Sequence, residues 1–232
     1  IAGNYIGTNA AGTAAIPNTT EGVRILDATV VNTRIGTNAD GISDVLERNL
    51  ISGNTNSNID ITGGSGAVIA GNYIGTDVTG SLSIGGSSGV VLQSGATNSR
   101  IGGTTAAARN VISGNAVNGI VLDGVGTSTN LIQGNYIGTN ATGTAALGIG
   151  QNGIFLATGA SANTIGGTTA GAGNVISGNV SHGILIQTAG TTGNLVQGNF
   201  IGTNAAGTAA LGNGGQGIRI DSGNSNTVGG IV

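Results

Sequence analysis

The stretch from Gly153 to Gln216, GIFLATGASANTIGGTTAGAGNVISGNVSHGILIQTAGTTGNLVQGNFIGTNAAGTAALGNGGQ, contains two copies of one pattern and decides the fold. Each copy opens with a short apolar segment, GIFL or GILI, continues through NTIGG or NLVQGN, and closes with NVISGN or NFIGT. Short apolar segments bounded by Gly, Asn, Ser and Thr are typical of β-strands joined by tight corners. Three such strands per copy, without helical periodicity, predict the turns of a parallel β-helix.

The same pattern fills the rest of the chain. Its apolar first strands begin near Gly22, Asn58, Gly89, Gly119, Gly153, Gly183 and Gly217. Neighbouring starts are about 30 to 36 residues apart, a period characteristic of solenoids. Alternate copies carry an insert like GGTTAGAG before the third strand or one like NAAGTAALGN after it. We therefore predict one all-β repeat domain over residues 1–232, with three short strands per turn, about seven turns and uncapped ends.

Composition narrows the classes of function. The net charge is -3, and the six basic residues are all Arg, so no basic stripe to attract nucleic acid is expected. No apolar run is long enough to insert into a membrane. Without cysteine there is neither a disulfide framework nor a thiolate metal site, and nothing in the sequence calls for a cofactor.

Asparagine opens the third strand of every copy. Side-chain amides at one corner of successive turns can hydrogen-bond to each other, which stabilises a stacked array. We therefore predict a structural ladder of Asn4, Asn49, Asn72, Asn110, Asn135, Asn174 and Asn199.

The recurring GIxI, NxIxG and NVISGN segments resemble the right-handed parallel β-helix repeats of the pectin-lyase-like superfamily. More narrowly, they are similar to the Gly/Asn/Thr-rich repeats of large secreted bacterial surface proteins. The resemblance covers essentially the whole chain. It implies a right-handed helix and an extracellular or cell-surface location.

The resemblance also implies where enzymes of this fold keep their chemistry, namely in clustered Asp residues with calcium and a basic residue, or in several Asp with a His. Here the acids are scattered. Asp123 and Asp221 share a place after the first strand but lie three turns apart, roughly 14 Å, which is too far for paired acid and base catalysis. His182, the only histidine, lacks Asp partners in the sequence pattern. We therefore predict no catalytic residues and no enzymatic activity.

A weak calcium site is the one metal hypothesis. The loop from Asn38 to Arg48 concentrates Asp40, Asp44 and Glu47, whose carboxylates are suitable calcium ligands. The dense alternation of acids in known calcium loops is missing, which favours a solvated loop.

Two columns of apolar side chains face outward. Val91, Val121, Phe155 and Leu185 form a stripe on the first strands. Such a stripe needs a cover, either the loops that end at Leu147 and Leu211 or lateral contact with another molecule. A second column, Tyr5, Tyr73, Tyr136 and Phe200, opens the third strands, where it serves packing or stacks on sugar rings.

The two ends of the chain read as complementary parts of one turn. Their residues predict an end-to-end interface formed by Ile1, Ala2, Gly3, Asn4, Tyr5, Val228, Gly229, Gly230, Ile231 and Val232. The expected partner is a second copy of the chain, unless the chain is a segment of a longer repeat protein.

These observations lead to two functional hypotheses. The first is a structural extracellular β-helix, a fibre subunit or stalk segment that self-associates end to end. The alternative is a carbohydrate-binding or polysaccharide-cleaving β-helix with surface glycans as partners, which rests on the fold by analogy.

Overall fold

The computed structural model describes residues 1–230 and contains three parallel sheets of seven strands each. The first-strand sheet consists of Val23–Leu26, Ile59–Thr62, Val90–Gln93, Ile120–Asp123, Ile154–Ala157, Ile184–Gln187 and Ile218–Asp221. The second-strand sheet consists of Arg34–Gly36, Val68–Ala70, Arg100–Gly102, Leu131–Gln133, Thr164–Gly166, Leu195–Gln197 and Thr227–Val228. The third-strand sheet consists of Tyr5–Ile6, Leu50–Ile51, Tyr73–Ile74, Val111–Ile112, Tyr136–Ile137, Val175–Ile176 and Phe200–Ile201. A single helical turn, Asp44–Glu47, completes the secondary structure of the described residues.

Each strand pairs in parallel with the equivalent strand of the next turn. Ile120, for example, lies between Val90 and Ile154 in the first-strand sheet. The three sheets together form about six complete turns, with incomplete turns before Val23 and after Ile201. The prediction of an all-β parallel β-helix with three strands per turn is confirmed. No helix within residues 1–230 combines the length and the apolar character that crossing a membrane would require.

The core is a column of aliphatic side chains along the helix axis. Alternation within each first strand turns two residues inward, so that equivalent positions of successive turns stack on each other. One such column contains Ile25, Ile61, Leu92, Leu122, Leu156 and Ile186, all of which are buried. A single turn has too few of these side chains to be stable alone, so stability depends on stacking.

The asparagine ladder at the start of the third strands is confirmed. Each amide nitrogen donates to the Oδ1 atom of the asparagine in the next turn, for example Asn110 to Asn135 at 2.9 Å and Asn135 to Asn174 at 2.9 Å. A second ladder at the start of the second strands contains Asn130, Asn163, Asn194 and Asn226. These bonds satisfy amides that would otherwise be buried without partners.

Glycine is required where alternate second strands end, at Gly36, Gly102 and Gly166. Gly102 has φ +85°, and a Cβ at this position would lie 2.0 Å from the carbonyl oxygen of Gln133 in the next turn. Gly36 and Gly166 have the same backbone conformation at the equivalent places. The close approach of successive turns at this corner therefore excludes any side chain.

Two sets of loops project from the helix. We call residues 37–48, 103–109 and 167–173, which connect second to third strands, the corner loops. We call residues 9–14, 77–82, 140–145 and 204–209 the third-strand loops. The third-strand loops stack on each other through backbone hydrogen bonds, such as Ala141 N–H to the Gly80 carbonyl at 2.9 Å.

Candidate functional site

The outward face of the first-strand sheet carries two columns of side chains. The register of the strands places the first column at Arg24, Asp60, Val91, Val121, Phe155, Leu185 and Arg219. The second column, two residues further along each strand, is Leu26, Thr62, Gln93, Asp123, Ala157, Gln187 and Asp221. The face therefore combines an apolar stripe with neighbouring groups that form hydrogen bonds.

Asp60 is the centre of a polar cluster on this face, and its residue is only 6% exposed. Thr62 Oγ1 donates to its Oδ1 atom at 2.6 Å, and Gln93 Nε2 donates to its Oδ2 atom at 2.8 Å. Arg24 lies opposite Asp60 in the neighbouring strand and is 3.9 Å from the carboxylate of Glu21. We call these five residues the Asp60 cluster.

Burial raises the pKa of Asp60 above its ordinary value of 3.8. The hydrogen bonds from Thr62 and Gln93 and the charge of Arg24 act in the opposite direction, while the charge of Glu21 adds to the increase. Desolvation outweighs the lowering effects, because the ionised carboxylate cannot be fully hydrated in this buried position. A carboxyl with this property exchanges its proton closer to neutral pH than a surface aspartate does, which is typical of functional sites.

The apolar stripe of Val91, Val121, Phe155 and Leu185 continues directly from Asp60. Val91 is 9% exposed, and the other three side chains are partly exposed. The interpretation that the loops ending at Leu147 and Leu211 cover this stripe is wrong, because the third-strand loops that lead to them pack against the third-strand sheet. The lateral contact of the stripe with another molecule stays a prediction.

Those loops lie against the aromatic column Tyr5, Tyr73, Tyr136 and Phe200. A Cβ on Gly80 would lie 3.0 Å from Tyr73 Cε2, and one on Gly143 would lie 2.9 Å from Tyr136 Cε2. The loops come this close because they have glycine at the point of contact. Packing therefore accounts for Tyr73 and Tyr136, whereas Tyr5 and Phe200 at the two ends of the column are 47% and 44% exposed.

The three acids of the weak calcium hypothesis each accept hydrogen bonds from residues of the loop in which they lie. Asp44 accepts hydrogen bonds from the Thr37 hydroxyl and the Gly41 N–H, and Asp40 accepts from Asn38 and Ile42. Glu47 accepts from the Asn38 N–H at 3.0 Å. Within residues 1–230, no three acidic, His or Cys side chains are grouped so that they could hold a metal ion. Local hydrogen bonding therefore explains why acids are concentrated here.

His182 extends a corner ladder of polar residues. Its backbone N–H donates to Asn152 Oδ1 at 3.3 Å, Asn152 in turn donates to Asn118, and its Nδ1 atom accepts from the Gln216 N–H at 3.1 Å. At the other end of the first-strand sheet, Asp221 forms an ion pair with Arg219 at 2.6 Å. The backbone N–H and the hydroxyl of Thr29 both donate hydrogen bonds to the Asp27 carboxylate, and these bonds lower the pKa of Asp27.

The residues assigned to an end-to-end interface lie at the two ends of the sheets. The carbonyl of Ile1 accepts from the Gly36 N–H, and Val228 pairs with Val196 in the second-strand sheet. Ile231 and Val232 lie outside the described residues. The contact of these ends with other copies stays a prediction.

Comparisons with known proteins identify the architecture. No protein-family model and no curated protein matches the chain. Among solved structures, the chain is similar to the crystal structure of the periplasmic alginate epimerase AlgG, with a TM-score of 0.55 and 19% identity over 86% of this chain and 45% of that chain. A double mutant of the same epimerase gives a TM-score of 0.54 and 19% identity, covering 85% and 45%. The chain is thus a right-handed parallel β-helix, and it spans less than half the length of these structures.

Two predictions need correction. The hypotheses of a purely structural fibre or stalk segment and of a protein without enzymatic activity are contradicted, because the solved structures that resemble this chain belong to an enzyme that acts on a polysaccharide. The sequence pattern hid the fact that Glu21, Arg24 and Asp60 come together across two turns.

Proposed function

We propose that this protein is a carbohydrate-active β-helix that binds a polysaccharide on the outward face of the first-strand sheet. Asp60 is the group that transfers a proton to or from the bound sugar. The observation that carries this proposal is the Asp60 cluster, in which a carboxyl group on the outward face of the sheet is buried, raised in pKa and fixed by two side-chain hydrogen bonds.

The two columns of this face suit the two kinds of surface that a sugar presents. The apolar side of a sugar ring can pack on Val121, Phe155 and Leu185, while its hydroxyl groups can form hydrogen bonds with Gln93, Asp123 and Gln187 in the adjacent column. Binding sites for small molecules generally combine an apolar surface with a few oriented polar groups in this way. Equivalent positions repeat at every turn, about 4.8 Å apart, and therefore match a ligand that is itself a repeating chain.

The chemistry of the Asp60 cluster favours proton transfer by a single carboxyl group. A residue whose pKa lies closer to the working pH is a more effective general acid or base. Arg24, directly opposite, can stabilise negative charge that develops on the sugar when a proton is removed. Hydrolysis by two carboxylates is less well supported, because Glu21, the other acid of the cluster, interacts with Arg24.

The similarity to AlgG supports the ligand class and the location. AlgG is a periplasmic enzyme acting on alginate, a polysaccharide, so a polysaccharide is the natural ligand to test on the same architecture. By the same analogy, we propose that this chain works outside the cytoplasm, in the cell envelope or beyond it. These properties come from a structure with 19% identity and carry over only as a proposal.

The test measures binding and turnover separately. Binding to alginate, polygalacturonate and dextran is measured by isothermal titration calorimetry, and products are followed by reducing-sugar assay, ultraviolet absorbance and NMR of the sugar protons. Asp60→Asn keeps the size of the side chain and is expected to bind within threefold of the parent while losing about 100-fold or more in turnover. Phe155→Ala is expected to weaken binding by about tenfold, which corresponds to about 1.4 kcal/mol.

Asp27→Asn is the matched control, because it removes an exposed carboxylate that directly follows Val23–Leu26, the first strand that pairs with the strand of Asp60. It is expected to change neither binding nor turnover. Failure of every polysaccharide to bind, or full turnover by Asp60→Asn, would overturn the proposal.

A further inference from the structure

Four of the six arginines have no acidic partner in residues 1–230: Arg34 and Arg100 begin second strands, and Arg48 and Arg109 end the corner loops that follow those strands. The ion pairs within residues 1–230 are Arg24 with Glu21 and Arg219 with Asp221, both on the first-strand sheet. In the same residues, no carboxylate lies within 4 Å of the guanidinium groups of Arg34, Arg48, Arg100 and Arg109. A protein with a net charge of -3 thus concentrates its free positive charge along one edge.

Arg48 and Arg109 are held in the same way in alternate turns. The Arg48 guanidinium lies 4.1 Å from the centre of the Tyr73 ring, and its Nε donates to the Gly71 carbonyl at 3.2 Å. Arg109 repeats this arrangement at 4.2 Å and 3.2 Å, on Tyr136 and the Gly134 carbonyl. Stacking on an aromatic ring and a backbone acceptor together fix the orientation of each guanidinium.

The terminal nitrogens of these two guanidinium groups remain available to a ligand. Among the described residues, the Nη atoms of Arg48 and Arg109 have no hydrogen-bond partner. A fixed guanidinium with free Nη donors matches the two oxygens of a carboxylate. Because the strands of Tyr73 and Tyr136 are separated by the single strand of Val111, the two anion sites lie about 10 Å apart.

The surroundings of Arg48 provide space for such a ligand. On one side is a cavity of about 270 Å³, lined by Tyr5, Leu46, Leu50 and Tyr73 in addition to Arg48. On the other side is a groove of about 430 Å³ between the corner loops, where Asp44 is the one acidic lining residue. The Asp44 carboxylate accepts hydrogen bonds from within its own loop, and in residues 1–230 it forms no ion pair with Arg48 within 4 Å.

Arg100 adds a third positive group beside Arg109. Its Nη1 atom donates to the Gly102 carbonyl at 2.6 Å, and both this atom and Ala108 Cβ lie within 2.9 Å of the position that a Cβ on Gly103 would take. Arg100 is thereby directed toward the segment that ends in Arg109. The equivalent turn further along the chain has Thr164 and Gly173 at these places, so the positive edge ends there.

We propose that Arg48, Arg100 and Arg109 form a second binding site, for a polymer that carries carboxylate groups at intervals. A single-stranded nucleic acid fits less well, because the tyrosine rings are covered by arginine and by the third-strand loops and cannot stack on bases. A few fixed guanidinium groups on an acidic protein suit separated carboxylates better than a dense row of phosphates. This site lies on the corner loops and the second-strand sheet, away from the Asp60 cluster on the first-strand sheet, and does not depend on the proposed function.

The test compares polygalacturonate with uncharged dextran and with oligo(dT), measured by isothermal titration calorimetry at two salt concentrations. Arg48→Gln with Arg109→Gln is expected to weaken polygalacturonate binding by about tenfold or more and to reduce its dependence on salt. Arg48→Lys with Arg109→Lys keeps the positive charges but loses the paired N–H donors of the guanidinium groups. This variant is expected to bind polygalacturonate with an affinity between those of the parent and the Gln double variant.

Arg34→Gln is the matched control, since it removes one positive charge from an exposed arginine outside the proposed site and is expected to bind like the parent. The proposal is overturned if the Gln double variant keeps full affinity while its thermal unfolding shows it to be folded. It is also overturned if Phe155→Ala alone abolishes binding, which would place the polymer on the first-strand sheet, or if oligo(dT) binds more tightly than polygalacturonate.

Discussion

Asn135 lies in the middle of the third-strand ladder, and replacing it with alanine tests how much the ladder stabilises the helix. Its Nδ2 atom donates to Asn174 Oδ1 and to the Ile101 carbonyl, both at 2.9 Å, and its Oδ1 atom accepts from Asn110 Nδ2 at 2.9 Å. Its Oδ1 also accepts the backbone N–H of Asn110 at 3.4 Å. Alanine removes all of these bonds from a site that is 0% exposed.

The expected loss of stability follows from these contacts. Each of the stronger side-chain bonds contributes about 1 kcal/mol net, and a buried N–H left without an acceptor costs about 1 to 3 kcal/mol. Because Asn110 Nδ2 and Asn174 Oδ1 keep other partners, we expect the free energy of unfolding to fall by about 2 to 4 kcal/mol. Asn4→Ala is the matched control, since Asn4 is exposed at the first rung and should cost about 0.5 kcal/mol or less.

Urea unfolding followed by circular dichroism measures the difference in stability. Because stacked repeats can unfold in parts, hydrogen exchange of the Asn110 backbone N–H provides a local measurement. We expect faster exchange there in Asn135→Ala and no change there in Asn4→Ala. Equal unfolding free energies for the two variants would refute the view that the buried amides stabilise the stack.

Three further predictions concern the third-strand loops and two of the acids with shifted pKa values, Asp77 and Asp60. Gly143→Ala places a Cβ on a residue with φ +67° and against the Tyr136 ring. Urea unfolding should therefore show a loss of about 1 to 3 kcal/mol in the free energy of unfolding. Gly212→Ala is the control, because its Cβ would meet no atom within 4 Å and should cost less. Burial raises the pKa of Asp77, but hydrogen bonds from the N–H groups of Leu82 and Ser81 outweigh it and hold the pKa below 3.8. Its contribution to stability is therefore present above pH 3.8 and lost as the pH falls through the lower folded value, so Asp77→Asn should flatten the acid side of the curve of urea midpoint against pH. For Asp60 the pH dependence of stability has the opposite sign, because burial raises its pKa. Its favourable contribution is complete below pH 3.8 and is lost as the pH rises through the folded pKa. Asp60→Asn should therefore gain stability relative to the parent as the pH is raised from acid to neutral.

The fold could be predicted from the sequence because every turn repeats the same physical solution. Glycine at Gly102, buried aliphatic residues such as Leu122 and ladder amides such as Asn135 recur at fixed places, and each has a local reason to be there. The second ladder was less visible, because Asn32 and Asn98 in its apparent column have φ of 55° and 52° and lie outside it. A shift of one residue at a corner is enough to move an asparagine out of the ladder, even though it aligns with the ladder residues in the sequence repeat.

The candidate sites could not be predicted in the same way, because they depend on contacts between turns. Asp60 and Gln93 are far apart in the sequence, and only the register of their strands makes Gln93 a donor to the Asp60 carboxylate. The arginine corner was missed because the sequence shows six scattered arginines. Arg48 and Arg109 precede ladder asparagines, a signal that becomes visible once the ladder is used to align the turns.

Departures from the repeat are therefore the most informative residues in this molecule. A residue that matches its equivalents in other turns is explained by the scaffold. Asp60 instead lies at the end of an apolar column, and Arg48 and Arg109 occupy the place that Gly173 has in a later turn. These departures fall in the first three complete turns, with Asp60 on the first-strand sheet and Arg48 and Arg109 in the corner loops. The same short segment of the helix thus has a buried acid on one face and fixed cations on another. Because the sites lie on separate faces, substitutions in one should leave binding at the other unchanged.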